Sequence, residues 1–196
     1  MSAKPLLILG CGIFSKEIKL LIEKNHWAAE TAFLDSALHN YLDKLAKGLG
    51  GSLAKRRDRE VVVFYGCCHP LIDRMVASAG SVRVAGQNCV EMLLGRERFD
   101  AELEQGAFFL LEEWALRWPV ITRELYGRNP EILREIFGSD RGYMLAVRTP
   151  CSGDFTDAAV AAAESAGLPL RWTDCGLEHL EAVLAEAIRR RREAAA

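Results

Sequence analysis

Three short apolar runs in this chain each give way to a cysteine: residues 6–9 to Cys11, Val61–Phe64 to Cys67 and Cys68, and residues 82–85 to Cys89. Thiolates brought together from separate loops bind soft metal ions or iron-sulfur clusters. Cys11, Cys68 and Cys89 are the preferred ligands. His39, which follows a further apolar run at 31–34, is the candidate fourth. A Cys3His set closes a zinc tetrahedron, whereas three thiolates alone leave one coordination position open to a substrate or partner ligand. Zinc and an iron-sulfur cluster are not separable at this stage, because thiolates suit both.

Other readings of the same residues stand beside this one. The spacings are not those of compact zinc knuckles with paired C-x-x-C loops, and the adjacency of Cys67 and Cys68 hinders both from entering one site. Cysteine is among the most buried residue types, so several of the six can be small apolar fillers in a metal-free binding or accessory protein. A thiol enzyme without metal would pair Cys68 or Cys89 as nucleophile with His39 or His69 as base. Cys151 and Cys175 also follow apparent strands and would extend the site or supply a redox thiol. Asp35 would support His39, bind a polar ligand or cap a helix. Asn88 is a candidate N-cap. The turn Gly10-Cys11-Gly12 lacks the third glycine of a dinucleotide fingerprint and the lysine of a phosphate loop, which makes nucleotide binding a weak reading.

For distant thiols to meet, strand ends must share an edge. The pattern of apolar run, short glycine-bearing loop and amphipathic helix repeats along the chain, with strands expected at 6–9, 31–34, 61–65, 82–85, 143–147 and 170–173. Such alternation predicts an α/β fold, a mostly parallel open sheet with helices on both faces. In that architecture the loops after parallel strands line one crevice. The stretch 96–138, with Trp114, Trp118 and Pro119, reads as a helical insertion or lid within a single domain spanning 1–196. Its tryptophans would cover a cofactor or fill a core.

A formal charge of −2 and a pI near 6.1 exclude the basic footprint that nucleic acid or an anionic membrane surface demands. The N-terminal apolar run is too short for a signal peptide or a membrane span. A cytoplasmic protein is expected, and in a reducing compartment six cysteines favour metal or redox chemistry over disulfides.

The segments 32–40 (AFLDSALHN), 65–68 (YGCC) and 88–95 (NCVEMLLG) together resemble the uncharacterised domain-of-unknown-function family 1638 over most of the chain. The matching motifs are D-S-x-L-H-N, Y-G-x-C and D-C-x-x-L-L-G, with an earlier C-G turn at Cys11-Gly12. The resemblance implies roles for Cys11, His39, Cys68 and Cys89 and leaves Cys67 as the variable position. The chain departs from the pattern at Asn88, where aspartate is usual, and in the less typical 112–118 stretch. Members of the family often stand beside corrinoid-dependent methyltransferase systems. The resemblance thus implies one-carbon or metallocofactor metabolism as context, with corrinoid or methyltransferase proteins as partners.

Overall fold

The computed structural model describes residues 4–127 and 129–194. In chain order the elements are β1 (Leu6–Cys11), α1 (Ser15–Lys24), β2 (Ala29–Leu34), α2 (Leu42–Ala54), β3 (Val61–Phe64), α3 (Ile72–Ser78), β4 (Val82–Arg83) and α4 (Cys89–Leu94). There follow α5 (Arg96–Glu104), β5 (Ala107–Leu111), α6 (Glu112–Tyr126), α7 (Pro130–Asp140), β6 (Tyr143–Arg148), α8 (Thr156–Ala166), β7 (Leu170–Asp174) and α9 (Glu178–Glu193). They form two compact units, Met1–Leu93 with Glu178–Ala196, and Leu94–Leu177. The fold is α/β: each unit has an all-parallel sheet, and helices cover both faces.

The first unit holds the four-stranded sheet β2-β1-β3-β4. The central strands are Leu-Leu-Ile-Leu and Val-Val-Val-Phe, apolar without alternation, and every one of these side chains is buried. That is the composition a parallel strand needs when both of its faces are covered. The edge strand β2 carries Glu30 and Thr31 and remains partly exposed. From β1 the chain passes outward to β2, then returns to β3 on the opposite side of β1. This reversal of direction opens a crevice beyond the carboxyl ends of β1 and β3, the customary ligand position in open α/β sheets. Gly10 keeps the two strands close there: a Cβ at this position would lie 2.7 Å from Phe64 Cβ.

The second unit holds the three-stranded sheet β5-β6-β7. Within 96–138, α5, α6 and α7 are helical as the sequence suggests, while β5 is a strand that pairs in register with β6 from Ala107↔Tyr143 to Leu111↔Val147. The core of this unit gathers Leu110, Trp118, Leu133, Phe137, Met144 and the alanines of α8. Trp118 is one of its central residues. Its ring meets Phe108 and Phe137 edge to face, and its Nε1 donates to Ser165 Oγ at 2.7 Å. Of the two uses open to this tryptophan, the structure shows the core one.

Candidate metal centre

Because β1 to β4 are parallel, the segments that follow them emerge at one edge of the first sheet, and Cys11, His39, Cys68 and Cys89 all lie in those segments. Cys11 is the last residue of β1, buried and in register with Leu34. Cys68 sits three residues beyond Tyr65, in the loop after β3, and Cys89 opens α4. The loops after β3 and β4 are joined directly: the Cys67 amide donates to the Gln87 carbonyl at 2.6 Å. Gly66 makes this contact possible, since a Cβ there would meet the Gln87 carbonyl and stand 2.6 Å from Asn88 Cα.

Cys11 and Cys68 both act on the electrostatics of Cys89. Burial pushes the Cys89 thiol up from its ordinary range, and the Cys11 and Cys68 thiolates push it further; the backbone amides of Cys89 and Val90 act in the opposite sense. Burial also raises the Cys68 thiol, against the Gly66 amide, which hydrogen-bonds its sulfur, and against the nearby Arg83. Tyr65 belongs to the same group. Its phenol is raised first by burial and then by Cys11, Cys68 and Asp35. The Tyr65 side chain is 2% exposed, and its hydroxyl has no hydrogen-bond partner among the described residues. A buried donor left unsatisfied costs about 1–3 kcal/mol.

Among the described residues, no three His, Cys, Asp or Glu side chains stand together as a ready-made metal site. The donor set fits a soft ion or cluster chemically: thiolates, with backbone amides already directed at two of the sulfurs.

Two further residues hold the loops in place. The Arg83 side chain is only 14% exposed. It donates to the carbonyls of Tyr65, Val84 and Gly86 at 3.0–3.1 Å and pairs with Asp73 at 2.6 Å. One guanidinium thus ties the loop of Cys68 to the loop of Cys89, using the multiple fixed donors that only arginine offers. Asn88 caps α4, its Oδ1 accepting from the Glu91 amide at 2.9 Å, while the buried Glu91 carboxylate accepts from the Gln87 amide at 2.9 Å. This near-reciprocal arrangement resembles a capping box. It also explains why asparagine can replace the aspartate of the family pattern, since the two residues cap helices about equally well. Asn88→Asp is therefore expected to leave the thermal unfolding midpoint nearly unchanged, whereas Asn88→Ala lowers stability by about 1 kcal/mol in denaturant titration.

His39 lies in a 3-10 turn, Ser36–Asn40, with Nδ1 placed 2.6 Å from the Ser36 carbonyl. A carbonyl only accepts, so Nδ1 carries a proton. Of the uses open to Asp35, the structure shows the capping one: its Oδ1 accepts from the Ala37 amide at 2.9 Å, at the start of that turn. Cys67 is exposed, its sulfur 3.8 Å from an Arg83 nitrogen. Cys151 and Cys175 do not follow strands of this sheet. They follow β6 and β7 of the second unit, where the Cys151 amide donates to Thr149 Oγ1 and Cys175 is buried with its thiol donating to the Gly176 carbonyl at 3.2 Å. The sequence pattern showed strands leading into cysteines but not their division between two sheets.

The raised thiols and phenol set a pH dependence for the metal-free protein. A group whose folded pKa lies above its unfolded one stabilises the fold fully below the unfolded value, and that contribution disappears as pH rises through the folded value. The ordinary values here are 9.0 for cysteine and 10.0 for tyrosine. Stability is therefore expected to hold to about pH 8 and to fall above pH 9, by about 1.4 kcal/mol per pH unit for each such group. Denaturant titrations between pH 7 and 11 measure this, and Cys89→Ser should flatten the alkaline fall.

Comparison with known proteins bears on this arrangement. The family model described as "Protein of unknown function (DUF1638)" matches residues 33–184, and the chain belongs to that family. No curated protein matches. One solved structure, a ferulic acid esterase, aligns over 95% of this chain and 83% of its own at 10% identity, with a TM-score of 0.22, a likeness that carries no argument. No helix among the described residues is long and apolar enough to cross a membrane.

Proposed function

We propose that the chain is a metalloprotein in which Cys11, Cys68 and Cys89, with His39 as the fourth candidate, hold a metal ion or an iron-sulfur cluster at the carboxyl edge of the first sheet. Its service is to corrinoid-linked methyl transfer or metallocofactor metabolism, the context that the family resemblance supplies. The observation that supports the metal reading most is that Cys11, Cys68 and Cys89 end or follow three parallel strands of one sheet, at the edge where Tyr65 buries a hydroxyl that has no hydrogen-bond partner among the described residues. Packing alone accounts for buried cysteines, but it gives no reason to leave a polar hydroxyl unsatisfied among them. Burial that raises Cys68 and Cys89 also disfavours a metal-free nucleophile, which works as the thiolate and needs a lowered pKa. A metal ion removes that obstacle by displacing the thiol protons on binding.

Anaerobic purification followed by elemental analysis and absorption spectroscopy tests the reading. A brown protein with iron and sulfide identifies a cluster, and a colourless one with stoichiometric zinc identifies the ion. A protein that emerges metal-free and takes up neither on reconstitution is an accessory or binding module with packing cysteines.

A further inference from the structure

In the second unit α6 and α8 face each other across a gap that α7 closes on one side. Ala115, Trp118 and Thr122 stand on one face of α6, and Ala158, Ala161, Ala162 and Ser165 on one face of α8, at the spacing that aligns side chains along a helix. The α8 face carries only methyl groups and one small hydroxyl, so no side chain spans the gap, and a cavity of about 480 Å3 remains. Well-packed interiors leave few voids larger than a water molecule, whereas sites for small organic ligands measure about 300–1,000 Å3. Ala115, Trp118, Leu133 and Ala162, all buried, form the floor, and Leu116, 59% exposed, carries the apolar surface out to the mouth.

The polar groups around this cavity divide by depth. Thr122 Oγ1 donates to the Trp118 carbonyl at 2.8 Å, and Ser165 Oγ donates to the Ala162 carbonyl at 2.8 Å while accepting from Trp118 Nε1, so both hydroxyl protons are committed within the protein. The exposed rim holds Arg123 and Asn129. The Asn129 side-chain oxygen accepts from the Glu131 amide, which leaves its two N–H donors for another partner. Arg123 has no ion pair or side-chain hydrogen bond among the described residues, and among those that line the cavity it is the only charged one. Apolar walls beneath a rim of donors and a single cation match an amphipathic anion of one charge. A carboxylate meets the planar guanidinium fork with two parallel hydrogen bonds.

We propose that this cavity binds a monocarboxylic acid with an apolar body, the body lying between α6, α7 and α8 and the carboxylate at the mouth on Arg123. The site lies within the second unit and is independent of the metal reading. Removal of the apolar body from water drives binding, and Arg123 selects the ionised head over an uncharged one.

The test titrates the whole chain with octanoate and, separately, with 1-octanol by isothermal calorimetry, in wild type, Arg123→Gln and Ala161→Leu. Both variants change exposed helix positions, and thermal unfolding checks that they fold. The expected result in wild type is one saturable octanoate site, with octanol about tenfold weaker, the factor that a hydrogen bond between charged groups supplies. Arg123→Gln should weaken octanoate by about the same factor and leave octanol unchanged. Ala161→Leu, which puts a branched side chain into the gap, should abolish binding of both. Absence of saturable octanoate binding in wild type would overturn the proposal, as would an octanoate affinity indifferent to either substitution. Sedimentation velocity supplies the remaining outcome: a stable wild-type dimer that Ala161→Leu dissociates would give this face to a second copy of the chain and overturn the ligand site.

Discussion

Cys11→Ser, Cys68→Ser and Cys89→Ser, each made singly, are expected to abolish stoichiometric metal retention after anaerobic purification and desalting. Serine preserves size and position but is not a thiol, and its hydroxyl does not ionise near neutral pH, so a soft ion loses one of three anionic ligands outright. Because the three sulfurs are coupled, the losses should be grossly non-additive: any one substitution removes most of the binding, and the triple variant is little worse. In the metal-free state the same changes should cost little, or even stabilise the protein above pH 9 where a raised thiol is a liability. Elemental analysis beside denaturant titration separates the two effects. Cys67→Ser is the control. That residue is exposed, and its loss should leave metal content near the wild-type value.

Gly66→Ala is expected to be nearly as severe for a different reason. The added methyl group would meet the Gln87 carbonyl and stand 2.6 Å from Asn88 Cα, both backbone atoms with no side-chain freedom to yield. The loops after β3 and β4 must separate, and the 2.6 Å hydrogen bond from the Cys67 amide to the Gln87 carbonyl is lost with the movement. Overpacking of this kind costs about 1–3 kcal/mol, and a lost buried hydrogen bond adds roughly another 1 kcal/mol. The consequence for the site is larger than the consequence for the fold. Cys68 and Cys89 ride on the two loops being forced apart, so metal content should fall with the melting temperature, whereas Gly50→Ala, which meets nothing within 4 Å inside α2, should leave metal content unchanged and raise stability by about 0.5–1 kcal/mol.

The parts of the molecule legible in the sequence were those in which a single physical demand dominated. Central strands such as Val61–Phe64 are buried on both faces and so read as unbroken apolar runs. Helices betrayed themselves by one apolar stripe, as with Leu45 and Leu49 of α2, although the glycines at 48, 50 and 51, which suggest a stop, do not end that helix before Ala54. By contrast Ala107–Leu111, a short apolar run within a helical stretch, is strand or helix according to whether a partner strand is available, and β6 supplies one from 36 positions along the register. The division of the strands into two sheets is likewise a matter of long-range pairing, which periodicity does not encode.

At the candidate site, the cysteines declared themselves by residue type, but their supports did not. Tyr65 looked like the last apolar residue of a strand, and only its burial exposes the unmet hydroxyl. Arg83 had a visible signal that went unread: a charged residue inside the run Val82-Arg83-Val84-Ala85 must find partners if it is covered, and it finds three carbonyls and Asp73. Asp35 and Asn88 each stood beside an expected ligand in sequence, and the structure gives both a cap.

X-ray absorption at the metal edge of the loaded wild-type protein asks most directly whether residues from β1, the β3 loop and the start of α4 serve one centre. For a single ion such as zinc three sulfur neighbours are expected at about 2.3 Å, falling by one in each Cys→Ser variant that retains any metal, whereas in a cluster the sulfides bring each iron to about four sulfurs. A first shell of nitrogen and oxygen alone, or a sulfur count indifferent to Cys11, Cys68 and Cys89, would contradict the shared site.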